Sequence, residues 1–147
     1  MFKISKLTDY ATVLLSQMAT EQDLLYSATS LAKATKMNVP TVSKILKLLT
    51  EAALLHSVRG AQGGYGLAKP AQAISMADII TAIDGTPAVT ACCKVHSDCE
   101  RDPSCGTRPL WQLINMQIMQ ILKNMTLADI QTQPLHYFKS EERTRGK

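Results

Sequence analysis

No stretch of this sequence holds more than a handful of consecutive apolar residues, so none is a candidate bilayer span, which needs about 20. The segment Met1-Phe2-Lys3-Ile4-Ser5-Lys6 lacks the long apolar core and small-residue cleavage site of a secretory signal, and a cytoplasmic location is expected. There is no Cys-x-x-Cys pair, no alternating strand–helix–strand pattern and no glycine-rich cofactor loop, which removes the common thiol oxidoreductases. The three histidines, His56, His96 and His136, are scattered over different segments, and no Ser–His–acid set accompanies them. An enzyme is therefore not expected. What remains is 147 residues that are 46% hydrophobic and 19% charged, too apolar for wholesale disorder and sized for one domain, or for one compact domain with an appended helix.

The charge is unevenly placed. Between Thr29 and Lys69 six bases (Lys33, Lys36, Lys44, Lys47, Arg59 and Lys69) face one acid, Glu51. From Ala71 onward eight bases balance eight acids. A basic first half joined to a neutral second half suits a nucleic-acid reader with a regulatory part, although a solvated basic face accounts for the charge equally well.

The hydrophobic spacing then supplies elements. Leu7, Tyr10, Ala11, Leu14, Leu15 and Met18 fall on one face of a helix over Leu7–Ala19. Ser27 is placed to cap a second helix through Leu31, Ala32 and Ala34. Lys36-Met37-Asn38 reads as a turn, and Pro40 fits the first turn of a third helix. Val42, Ile45, Leu46, Leu49 and Ala53 would lie inward there, leaving Thr41, Ser43, Lys44 and Lys47 outward. Two short helices joined by a tight turn, the second polar and basic outside, make a helix-turn-helix. Leu55–Arg59 and Tyr65–Ala68 read as short strands around Gly60–Gly64, a hairpin placed as a wing. Arg59 could enter a minor groove, with Gly63, Gly64 and Tyr65 against the DNA backbone.

Further on, Ser75 caps a helix through Met76, Ile79, Ile80 and Ile83 that ends at Gly85. Nine of the thirteen residues from Leu110 to Leu122 are apolar, around most of the circumference. Such a helix needs cover on two sides. We read it as a long dimerisation helix, the other reading being the central core helix of a monomer. Thr126 caps a last short helix through Leu127 and Ile130, and residues 133–147 form a charged tail expected to be disordered. The expected fold is mainly α with a small β-hairpin wing: a winged helix-turn-helix DNA-binding domain over 1–70, and a cysteine loop with its dimerisation helix over 71–132.

All four cysteines, Cys92, Cys93, Cys99 and Cys105, fall in the helix-poor stretch from Thr86 to Thr107. Thiols spaced evenly in an irregular loop can converge on one centre, and soft thiolates select zinc, copper(I) or iron–sulfur clusters. Spacing leaves an iron–sulfur cluster, a zinc ion on four thiols and redox-active free thiols open.

Three strings now carry a resemblance. Thr8-Asp9-Tyr10-Ala11, Ser57-Val58-Arg59-Gly60-Ala61-Gln62-Gly63-Gly64-Tyr65 and Cys93-x5-Cys99-x5-Cys105 look like the winged-helix iron–sulfur transcription regulators of the IscR/NsrR type. The likeness covers about residues 1 to 132. Lys6–Leu14 and Arg108-Pro109-x-Trp111 look most like the branch that controls SUF-type iron–sulfur assembly genes. The resemblance implies a homodimer on a palindromic promoter site, acting as a repressor that senses cluster status. It further implies a cluster on Cys93, Cys99 and Cys105, of 2Fe–2S before 4Fe–4S type. Isc-type members carry a histidine three residues after the last cysteine, where this chain has Arg108, which cannot ligate. In the nitric-oxide sensors an aspartate of the partner subunit's first helix completes the set, and Asp9 matches it. Cys92 and His96 are local candidates. A zinc- or thiol-redox-sensing winged-helix regulator without a cluster is the alternative.

Overall fold

A computed structural model of the chain describes residues 3–94, 96–97, 99–100 and 104–132. The tail read over 133–147 lies outside the described residues. Helix α1 (Lys6–Met18) begins where the Ser5 side chain accepts the Thr8 amide at 3.1 Å. Its predicted stripe holds: Ala11, Leu14, Leu15 and Met18 are buried, and Leu7 and Tyr10 pack at the edge of the same core. Ser27 caps α2 (Ala28–Thr35) through the Ser30 amide at 3.0 Å. That helix stops at Lys36, whose left-handed φ of 56° lets Met37 N–H reach back to the Ala32 carbonyl at 3.0 Å. Asn38 then caps α3 (Val39–Glu51), with Pro40 in its first turn.

Val42, Ile45, Leu46 and Leu49 are buried, as their spacing predicts. One small residue departs from the reading: Ala53 lies beyond the end of α3 at a positive φ of 55° and is exposed. The chain reverses there, so Leu54, 2% exposed, takes the inward place that helical spacing gave to Ala53.

The wing pairs β1 (Leu55–Val58) with β2 (Gly64–Leu67) antiparallel, Leu55 opposite Leu67 and Val58 opposite Gly64. A third backbone segment stitches it to the helices. Tyr26 N–H donates to the Tyr65 carbonyl at 2.9 Å, and Tyr65 N–H to the Tyr26 carbonyl at 2.8 Å. Side chains are excluded from this corner: a Cβ on Gly64 would sit 2.7 Å from the Tyr26 oxygen, and one on Gly63 would run into the Val58 carbonyl.

Helix α4 (Met76–Asp84) starts from a reciprocal capping box between Ser75 and Asp78 and ends at Gly85, φ 83°. The long helix, α5 (Arg108–Asn124), runs two residues further at each end than its apolar run suggested. It packs against α4 and the short 3₁₀ turn Ala91–Cys93. None of its residues is buried, and Leu110, Trp111, Leu113, Met116 and Ile121 are exposed. The reading as a core helix of a monomer is thereby overturned.

Helix α6 (Leu127–Thr132) returns to the body formed by α1–α4. Leu127 N–H donates to the Ile74 carbonyl and Met76 N–H to the Met125 carbonyl, both at 2.8 Å, and the Gln131 side chain donates to the Ser16 carbonyl at 3.2 Å. Leu127, fully buried, shares one apolar cluster with Leu14, Leu46, Ile74 and Ile79. The whole is a mainly helical winged helix-turn-helix with a two-stranded hairpin and one long helix alongside. No helix of the described residues is long and apolar enough to cross a membrane.

Candidate functional site

The outer face of α3 is set by what its inner face buries. With Val42, Ile45, Leu46 and Leu49 inward, Ser43, Lys44 and Lys47 stand in solvent, and Thr41 is half-buried at the first turn. Lys47 Nζ lies 3.9 Å from Glu51 Oε1, with side chains 76% and 60% exposed. A pair so exposed is worth about 0–1 kcal/mol and leaves the ammonium free to exchange its carboxylate for a phosphate. Arg59 is exposed at the start of the wing turn. Gly63 and Gly64 are half-buried, and Gly63 N–H closes the turn on the Gly60 carbonyl at 3.0 Å. Tyr65 packs against the core and pairs with Tyr26, so it anchors the wing to the segment that opens α2.

The cysteine loop is held against α5. Val89 N–H donates to the Asn115 side chain at 3.0 Å. The Thr90 hydroxyl lies 3.1 Å from Cys92 Sγ and 3.3 Å from Cys93 Sγ. The Cys93 thiol donates to the Trp111 carbonyl at 3.4 Å, in the first turn of α5, and Arg108 N–H donates to the Cys105 carbonyl at 3.2 Å. Cys105 Sγ also lies 3.3 Å from the Thr107 hydroxyl. Cys92 is buried, whereas Cys93, Cys99 and Cys105 are partly exposed, and none of the four is in a disulfide. His96 is exposed.

Cys93 and Cys105 thus both sit at the head of α5. Among the described residues, however, no three His, Cys, Asp or Glu side chains stand close enough to hold a metal. In kind, three partly open thiols suit an iron–sulfur cluster. One chain alone does not bring them to a common centre.

Asp9 is exposed on the first turn of α1. Its neighbour Thr8, only 1% exposed, donates its hydroxyl to Asp84 Oδ2 at 2.8 Å, and Ser5 N–H reaches the same oxygen at 3.1 Å. Burial pushes the Asp84 carboxyl up, but the hydrogen bonds from Ser5 and Thr8 outweigh it and hold the group below the ordinary carboxylate range. Asp84 is the last residue of α4, so the turn carrying Asp9 is pinned to the point where the chain departs toward the cysteines.

Sequence reasoning missed Thr90, Asn115, Tyr26 and Asp84. Tyr26, Asn115 and Asp84 act through hydrogen bonds to partners distant in sequence, and Thr90 through its hydroxyl to two nearby thiols, and no periodicity marks such residues. Only for Thr90 was there a cue, a hydroxyl two and three residues before adjacent thiols.

The comparisons agree with this architecture. The family model described as Rrf2, iron-dependent transcriptional regulator, matches residues 4–133. The HTH-type transcriptional regulator IscR of Vibrio parahaemolyticus is 33% identical over 91 residues, 62% of this chain and 54% of its own length. The match thus spans about half of that relative. CymR (YrzC), the global cysteine regulator of B. subtilis, shares the fold with a TM-score of 0.70 at 28% identity, covering 88% of this chain and 96% of CymR. IscR of T. potens gives a TM-score of 0.65 at 26% identity, over 93% of this chain and 96% of that one. This chain belongs to the Rrf2 family and is a DNA-binding transcription regulator, not an enzyme.

Proposed function

We propose that this regulator is a homodimeric repressor of SUF-type iron–sulfur assembly genes. Its grip on a palindromic promoter site would follow the occupancy of an iron–sulfur cluster by Cys93, Cys99 and Cys105. The observation that carries the reading is that Cys93 and Cys105 both bond to the first turns of α5, a helix with no buried residue. Two of the three cysteines, Cys93 through its thiol and Cys105 through its carbonyl, are therefore held on the element that most needs a second subunit. The SUF assignment rests on the motif strings Lys6–Leu14 and Arg108-Pro109-x-Trp111.

In this reading residues 1–70 form the DNA-binding part and 71–132 the sensing and dimerising part, working in the cytoplasm. Thr41, Ser43, Lys44 and Lys47 enter the major groove. Arg59, Gly63, Gly64 and Tyr65 lie on the minor groove and backbone. When bound, the group supplies bonds from iron to each thiolate, with a 2Fe–2S core favoured over 4Fe–4S. Asp9 of the partner subunit is the first candidate for the fourth ligand, because it is exposed on a turn held by Asp84. Cys92 and His96 are the local alternatives, and Arg108 adds positive charge beside anionic thiolates. Gain or loss of the group would act on Cys93 and Cys105 at the head of α5, and α5 packs directly on α4 of the α1–α4 body, so the two reading heads would tilt relative to each other. The tilt changes the separation of two reading helices across a dimer.

Anaerobic reconstitution of wild type and Cys99→Ala, followed by absorption spectra and iron and sulfide assays, tests this. Cluster absorption is expected in wild type and not in the variant. No absorption in wild type, or the same in both, refutes it. The second reading is a zinc- or thiol-redox-sensing regulator without a cluster, and it is the thiol-redox form that the ungathered thiols of the described residues favour. Colourless protein containing zinc, or none but with titratable thiols, would identify it.

A further inference from the structure

The cysteine loop contains one thiol more than the spaced triad uses. Cys92 is buried while its neighbour Cys93 is partly exposed, and the two adjoin in the 3₁₀ turn Ala91–Cys93. Adjacent side chains on an extended backbone point to opposite faces. Here the turn brings both sulfurs to one point, the Thr90 hydroxyl, at 3.1 and 3.3 Å. The backbone around them is fixed by Cys93 N–H on the Thr90 carbonyl at 3.0 Å and Lys94 N–H on the Ala91 carbonyl at 3.2 Å. Ser97 lies beside Cys99 and Thr107 beside Cys105. Cys92 and Cys93 are thus held together on one hydroxyl, with the entrance on the Cys93 side.

We propose that Cys92 and Cys93 form a vicinal dithiol site for trivalent arsenic and its mono-organic derivatives. Thiolates are soft donors and trivalent arsenic is a soft acceptor of pyramidal geometry, in which two neighbouring sulfurs take two of the three positions and the organic group or a remaining hydroxyl keeps the third. The step is a condensation without redox change. Two S–H bonds and two As–OH bonds break, two As–S bonds form, two waters leave, and arsenic stays trivalent. The first bond forms at the open Cys93 sulfur. The second is intramolecular, so a thiol next in sequence acts at an effective concentration of about millimolar or more. Binding needs only these two side chains and does not rest on the cluster reading. Because Cys93 belongs to both sets, an arsenical there also withdraws a thiol from the triad.

The test uses the full-length chain, freed of iron under reducing conditions, with equimolar phenylarsine oxide and an excess of a monothiol. Mass spectrometry and thiol titration should show one adduct with two thiols lost, resistant to the monothiol and released by a small dithiol. Cys92→Ala and Cys93→Ala should each weaken uptake at least tenfold, and Cys99→Ala and Cys105→Ala should retain it. Cys93 is partly exposed, so its variant keeps the test valid if removal of buried Cys92 unfolds the loop. An adduct that the monothiol reverses, one retained in Cys93→Ala, or one lost in Cys99→Ala overturns the proposal.

Discussion

Lys47 shows how much a single side chain can be asked to do. It stands on the polar face of α3 with Glu51 one turn away, at a distance where the pair is loose and solvated. Lys47→Ala should therefore leave the fold intact, weaken promoter binding, and reduce the salt dependence of affinity by about one unit of slope. An unchanged slope in a salt titration would remove Lys47 from the phosphate contacts. At this scale the sequence was most readable where chemistry is local. Ser27 and Ser75 were identified as caps because a hydroxyl before an apolar run has one good use, and both accept the expected amide. Asn38, read as part of a turn, caps α3 in the same way. Thr8 and Tyr26 were not readable, since their partners, Asp84 and Tyr65, are 76 and 39 residues away in sequence.

Among the elements, α5 combines a strong sequence signal with an answer that lies outside the chain. Its apolar circumference says that two faces need cover, and among the described residues its main packing partners are α4 and a short turn. A partner copy of α5 is the cover we propose. Leu113→Asp with Ile121→Asp, both half or more exposed, should convert a dimer to monomers in sedimentation velocity while leaving the helical circular dichroism unchanged. A dimer that survives both charges would place the interface elsewhere. The wing was legible from its glycines to within one residue at each strand, because a Gly-rich turn between short runs has few alternatives. The cysteine loop was legible only in composition. Irregular backbone has no period, and side chains such as Asn115 that fix its path lie on another element.

In the molecule as a whole, the boundary between reading and sensing parts does not coincide with a break in the core. Leu127 near the end of the described chain, Ile79 of α4 and Leu14 of α1 share one apolar cluster. Leu127→Ala removes a fully buried side chain and should cost about 2–5 kcal/mol, lowering the melting temperature of the entire chain in a single transition. Two transitions, the larger unmoved, would show that the halves unfold independently.

The backbone bonds of Met76 to Met125 and of Leu127 to Ile74 have a last consequence. The polypeptide leaves the body at Gly85 and re-enters it at Thr126, and the return is riveted there while α5 lies packed on α4. A single cut by a protease anywhere among the cysteines would sever the covalent thread without detaching α5. Both fragments would remain one particle, and the scar would be visible only after denaturation.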